Sequence, residues 1–130
     1  MKIDRIYETV LYAGDLHSAE EFYRVVLGLD VVRQSELLVA FQCGEGVLLI
    51  FNPDHSGAPG RDIPSHGATG PGHLAFAVDE DDFNAWKHHL ETHDVEIEAE
   101  LKWESGGRSV YFRDPAGNSL ELAVPTIWST

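Results

Sequence analysis

The chain has 130 residues, 43% of them hydrophobic, which is enough to bury the core of one ordinary domain without disulfide staples. Its 22 Asp and Glu against 9 Lys and Arg give a net charge of −13, which argues against nucleic acid and anionic membranes as partners, because both need a basic face. The single cysteine, Cys43, excludes an internal disulfide and any multi-thiolate metal site, and no apolar run reaches the 18 or so residues of a membrane span.

The first segment, MKIDRIYETV, carries charges where a secretory signal would be apolar, so a cytoplasmic location is expected. Residues 15–28, DLHSAEEFYRVVLG, read as a helix. Asp15 is the N-cap, Leu16, Ala19, Phe22, Tyr23, Val26 and Leu27 form one apolar stripe, and Gly28 can turn the chain out in the left-handed region. Strand-like runs follow at LDVVRQ, LLVAFQ and GVLLIFN. Residues 53–72 hold five glycines and four prolines and read as a loop, of a length that is usually functional or mobile.

The pattern then begins again. HLAFAV is strand-like, DEDDFNAWKHHLETHD is an amphipathic helix, and strands are expected at VEIEAE, RSVYFR and NSLELAV. Both halves run strand, helix, three strands. The fold class is therefore α+β, with two βαβββ modules at about 3–53 and 72–125 joined by a linker loop at 54–71.

Three stretches carry a resemblance: AGDLHSAEEFYRVVLGL, GPGHLAFAV and VYFRDPAGNSLEL. In this order they resemble the vicinal oxygen chelate superfamily, which includes glyoxalase I, bleomycin-resistance proteins, fosfomycin-resistance enzymes and extradiol dioxygenases. The resemblance spans essentially the whole chain. It implies paired βαβββ modules with mixed sheets curled around a cleft, a divalent metal held by inward positions of both modules, and a homodimer.

Alternation along NSLELAV puts Leu120, Leu122 and Val124 on one face and Ser119, Glu121 and Ala123 on the other. HLAFAV sets His73, Ala75 and Ala77 against Leu74, Phe76 and Val78 in the same way. Each strand thus offers one metal-competent group among small neighbours. Taken alone, Glu121 reads as a solvent-facing carboxylate and His73 as a structural histidine. By resemblance they are metal ligands, joined by Glu8 at the equivalent place in the first module. The repeat puts Leu49 opposite Glu121, and leucine cannot ligate. Three ligands leave positions open for water and substrate. Two carboxylates and an imidazole suit Zn, Ni, Mn, Fe or Co.

In the loop, His66 is a candidate replacement ligand or proton shuttle, and Glu121 itself is a candidate for moving the substrate proton. Arg108 and Tyr111, flanking a hairpin that the resemblance puts at the cleft mouth, would bind substrate, with Arg108 taking an anionic group and Phe51 and Trp103 supplying aromatic walls. His55, Arg61, His89, His93 and Cys43 read as ordinary surface or filler residues. The expected function is a divalent-metal-dependent isomerase, lyase or dioxygenase acting on a small substrate chelated through two oxygens. The alternative is a metal-free protein that sequesters a small drug molecule.

Overall fold

A computed structural model describes residues 1–128. It divides into two compact units, Met1–Gly70 and the residues from Pro71 onward.

In the first unit, β1 (Glu8–Tyr12) is followed by α1 (Leu16–Val25), β2 (Asp30–Gln34), β3 (Leu38–Cys43), β4 (Gly46–Phe51) and a single helical turn, α2 (Pro53–Ser56). The four strands form one mixed sheet in the order β1-β4-β3-β2, with β1 parallel to β4 and the other pairs antiparallel. Asp15 caps α1 as expected, accepting from the Ser18 N–H at 3.0 Å. Gly28, at φ +70°, turns the chain out after the helix, and Leu29 N–H bonds back to the Tyr23 carbonyl. Ala19 and Tyr23 of the helix are buried, and the Tyr23 ring lies 5.5 Å from that of Phe41. Leu11, Val39, Leu48 and Ile50 complete this core.

The second unit repeats the plan. β5 (His73–Ala77) leads through a short 3₁₀ turn into α3 (Phe83–Thr92), and β6 (Ala99–Lys102), β7 (Arg108–Arg113) and β8 (Ser119–Ala123) follow. The sheet order is β5-β8-β7-β6, again with the first pair parallel. Phe83, Leu90, Val110, Phe112, Leu120 and Leu122 form its core.

The duplication extends to the register. Glu8 pairs with Val47 and Val10 with Leu49; His73 pairs with Ser119 and Ala75 with Glu121. On the other side, Ala40 faces Leu49 as Tyr111 faces Glu121. Glu8 is therefore the counterpart of His73, and Leu49 the counterpart of Glu121, residue for residue.

Two expectations need correction. The strand read at VEIEAE begins only at Ala99. Asp94 takes φ +58° to end α3, and Val95 N–H is used on the Leu90 carbonyl, so these residues serve the helix terminus rather than a ladder. The loop read from Pro53 starts instead as α2, because Asn52 accepts from Asp54 N–H and Pro53 supplies a preset φ at its first position.

After β8 the chain closes with a 3₁₀ turn, Pro125–Trp128, seated on the β6–β7 hairpin. Ser105 Oγ donates to the Ile127 carbonyl at 3.1 Å. A Cβ on Gly107 would lie 2.4 Å from Ile127 Cγ2 and 3.0 Å from its backbone nitrogen. Gly107→Ala should therefore cost about 1–3 kcal/mol, the usual range for overpacking. A thermal melt tests this, and an unchanged midpoint would show that the terminal turn yields without cost.

Candidate functional site

The site is built on the face of the second sheet opposite its core residues Leu120 and Leu122, where alternation places His73, Ala75, Ala77, Ser119, Glu121, Ser109 and Tyr111 on one side. Glu121 is 5% exposed, so the reading of it as a surface carboxylate is overturned. A buried carboxylate needs partners, and it has them.

The DPAGN turn sets the register that brings these residues together. Asp114, itself buried, accepts from the N–H groups of Ala116 and Asn118 and from the Asn118 amide. Asn118 Oδ1 in turn accepts from Gly72 N–H at 2.8 Å, and Ser119 N–H donates to the Gly72 carbonyl. The start of β5 is thereby locked against the start of β8.

His73 Nδ1 lies 3.0 Å from the Ser119 carbonyl oxygen. A carbonyl can only accept, so Nδ1 carries a proton, and Nε2 is the nitrogen left to face Glu121. That Nε2 stands 3.3 Å from Glu121 Oε1. Two lone pairs face each other there unless a proton or a metal ion lies between them. Glu121 Oε2, the other oxygen, accepts from Ser109 Oγ at 2.6 Å, and Trp103 Nε1 donates to that same Oγ at 2.9 Å. Tyr111 completes the group, its ring stacked 6.4 Å from that of His73. Burial first, and then the nearby Glu121 carboxylate, raise the Tyr111 hydroxyl above its ordinary pKa, against a smaller opposing influence of the polar Ser109 side chain.

This pair fits a metal. Two donors each about 2.0–2.2 Å from one tetrahedral Zn²⁺ stand roughly 3.3–3.5 Å apart, and the observed separation is 3.3 Å. An imidazole whose Nδ1–H is held by a backbone carbonyl is also the usual outer arrangement of a metal-ligating histidine. Among the described residues no three His, Cys, Asp or Glu side chains gather into a metal site within either unit. The second unit thus offers two candidate donors, His73 and Glu121.

The remaining sequence candidates fall in several places. Trp103 reaches the site through its indole N–H. Arg108 does not join Tyr111: it lies at the head of β7 with Val110 and Phe112 on the helix-facing side. There its guanidinium sits 4.2 Å from the Phe83 ring centroid and pairs with Glu80 at 2.8 Å. Glu8 is the exposed first residue of β1. Phe51 is buried in the first unit, and His66 packs edge-on against it at 4.6 Å between centroids.

The loop carrying His66 is tied to its own unit. His66 Nδ1 lies 2.7 Å from the Tyr12 hydroxyl, His66 N–H donates to the Ser56 carbonyl, and Arg61 donates to the same carbonyl. Tyr12→Phe keeps the ring contact and removes one hydrogen bond. We expect it to cost about 0.5–1.5 kcal/mol and to speed limited proteolysis within residues 54–70. Unchanged cleavage would show that the bond does not hold the loop.

Sequence reasoning missed Ser109 and Tyr12. Ser109 shares the Tyr111 face by strict alternation in RSVYFR, which was the available signal. Nothing local to Tyr12 announces a partner 54 residues away.

The family model described as Glyoxalase/Bleomycin resistance protein/Dioxygenase superfamily matches residues 5–122. The chain belongs to the glyoxalase superfamily. A curated relative, the metallothiol transferase FosB of Staphylococcus haemolyticus, is 34% identical over 103 residues, covering 78% of this chain and 70% of the relative. The glutathione transferase FosA of Serratia marcescens is 30% identical over 118 residues, covering 90% and 78%. A crystal structure of lactoylglutathione lyase from Agrobacterium tumefaciens superposes with a TM-score of 0.95 at 41% identity over the full length of both chains. All three of these glyoxalase-superfamily relatives bear the names of enzymes, which does not favour the drug-sequestering alternative. No helix among the described residues is long and apolar enough to cross a membrane.

Proposed function

We propose that this chain is a divalent-metal-dependent enzyme that acts on a small thiol-derived substrate bound to the metal through oxygen. The observation that carries this reading is the His73 Nε2 and Glu121 Oε1 pair, two donors facing each other at 3.3 Å on a wall of small residues. The names of the relatives supply the substrate class, since each refers to a thiol or to glutathione.

His73 and Glu121 would hold the metal, with Glu8 as the third ligand, a role supported by its register equivalence to His73. The metal would supply Lewis acidity toward a substrate oxygen. The chain's own groups then divide the work. The Ser119 carbonyl keeps Nδ1 protonated, so that His73 offers Nε2. Tyr111, stacked beside His73, would donate its hydroxyl to a substrate oxygen. Ala75 and Ala77 leave room for the substrate where larger side chains would fill it. His66 remains the proposed residue for proton movement from the loop, and Phe51 and Trp103 the proposed aromatic walls. Arg108 would accept a substrate anion only by giving up Glu80.

The chain is further read as a cytoplasmic homodimer, which light scattering at twice the 14.4 kDa chain mass would support. The functional test is an assay of lactoylglutathione breakdown and of thiol transfer to a small electrophile. Each is run with Zn²⁺, Mn²⁺, Ni²⁺ or Co²⁺ added in turn. One of these activities should appear with metal and vanish with chelator. Tight binding of small ligands with no metal-dependent turnover would instead favour sequestration.

A further inference from the structure

The geometry points to Ser109, oriented by Trp103, as the positioning residue that fixes which oxygen of Glu121 is offered to a metal ion. This rests on the proposed reading of His73 and Glu121 as metal ligands.

A serine hydroxyl carries one hydrogen and two lone pairs, and when free it rotates to suit its surroundings. Ser109 is not free. It is fully buried, and the Trp103 indole N–H, which can only donate, occupies one of its lone pairs at 2.9 Å. The hydroxyl hydrogen is thereby turned toward the acceptor on the other side, Glu121 Oε2 at 2.6 Å. That distance is typical of a short O–H···O⁻ bond to a charged acceptor. With Oε2 held in this way, Oε1 is the oxygen left facing His73 Nε2.

Without the hydroxyl, the Glu121 carboxylate loses the bond that holds Oε2 in place, and its last torsion is a broad two-fold one with little intrinsic preference. It can then present either oxygen, or both. The chain Trp103 to Ser109 to Glu121 runs across one rigid sheet, from Trp103 just beyond β6 through β7 to β8, with Ser109 paired to Ala123 in register. No solvent reaches Ser109 to replace the bond. The indole thus acts on the metal-facing oxygen through one intermediary, without touching substrate or metal.

The test uses the full-length chain, its Ser109→Ala, Ser109→Thr and Trp103→Phe variants, and Co²⁺ as the probe. Affinity is read by calorimetry and coordination by the visible Co²⁺ spectrum. Ser109→Ala should bind Co²⁺ roughly 10–100-fold more weakly, with an altered spectrum. Ser109→Thr, which keeps the hydroxyl, should restore most of the affinity and the wild-type spectrum. Trp103→Phe keeps the hydroxyl but frees its direction and should fall between the two. If Ser109→Ala fails to fold, Ser109→Thr and Trp103→Phe still decide: a Trp103→Phe variant indistinguishable from wild type overturns the inference. Unchanged affinity and spectrum in Ser109→Ala overturn it directly.

If the wild-type chain binds no Co²⁺, it is the metal reading that fails. Metal-free crystals of wild type and Ser109→Ala then decide the positioning role. A rotated Glu121 carboxylate in the variant supports it, and an unmoved one overturns it.

Discussion

Replacing Glu121 with glutamine should lower divalent-metal affinity by roughly 100-fold or more while leaving the metal-free protein as stable as before or slightly more so. Loss of an outer-sphere partner already costs about 10–100-fold, and here a charged ligand itself is removed. The stability expectation follows from the hydrogen bonds. The amide oxygen can take the place of Oε2 and accept from Ser109, while the amide nitrogen donates to the Nε2 lone pair of His73. With His73 neutral, that swap removes a buried negative charge and turns a lone-pair confrontation into a hydrogen bond. Calorimetric titration with Zn²⁺ and a thermal melt in chelator check the two halves separately. A melting temperature that falls by several degrees in the metal-free variant would mean that the carboxylate serves the fold rather than a ligand.

Phe112→Ala should do the reverse. Phe112 sits on β7 one residue beyond Tyr111, but on the opposite face of the sheet, fully buried in the core and paired in register with Leu120. Its truncation should cost about 3–5 kcal/mol, the sum of lost transfer energy and the cavity left behind. For a chain of this size that lowers the melting temperature by roughly 10 °C or more. Below that temperature, metal affinity should stay within about threefold of wild type, because the donors lie on the other face. Paired melts and titrations would show it. A metal affinity that collapses together with stability would mean that the two faces are not independent.

These opposed outcomes rest on strand alternation, which was the most informative feature of the sequence. It placed Leu120 and Leu122 in the core and His73 and Glu121 together on the other face, using only a period of two. The duplication was equally visible, because both halves spend the same lengths on the same elements, and the register confirms it down to Leu49 opposite Glu121's position. The resemblance in GPGHLAFAV and VYFRDPAGNSLEL identified the superfamily.

What the sequence did not disclose depends on contacts between residues distant along the chain. Arg108 was expected to take a substrate anion, and nothing in the sequence announced that its place on the helix side of β7 pairs it with Glu80 and the Phe83 ring. Ser109 carried no reading at all, yet its burial turns one hydroxyl into the link between an indole and a carboxylate. The loop around His66 was expected to be functional or mobile, and its anchors, a tyrosine 54 residues earlier and the Ser56 carbonyl, are contacts that no composition reveals. Part of the late start of β6 follows from the helix terminus, which takes up the N–H groups of Asp94 and Val95.

The most direct test of a His73–Glu121 metal centre is the metal content of full-length protein purified without chelator or metal-affinity resin, measured alongside His73→Ala and Glu121→Gln. The expected result is a divalent transition metal bound stoichiometrically in the wild-type chain and lost from both variants. A wild-type chain that neither carries nor takes up such a metal, or one that keeps it in both variants, would contradict the assignment.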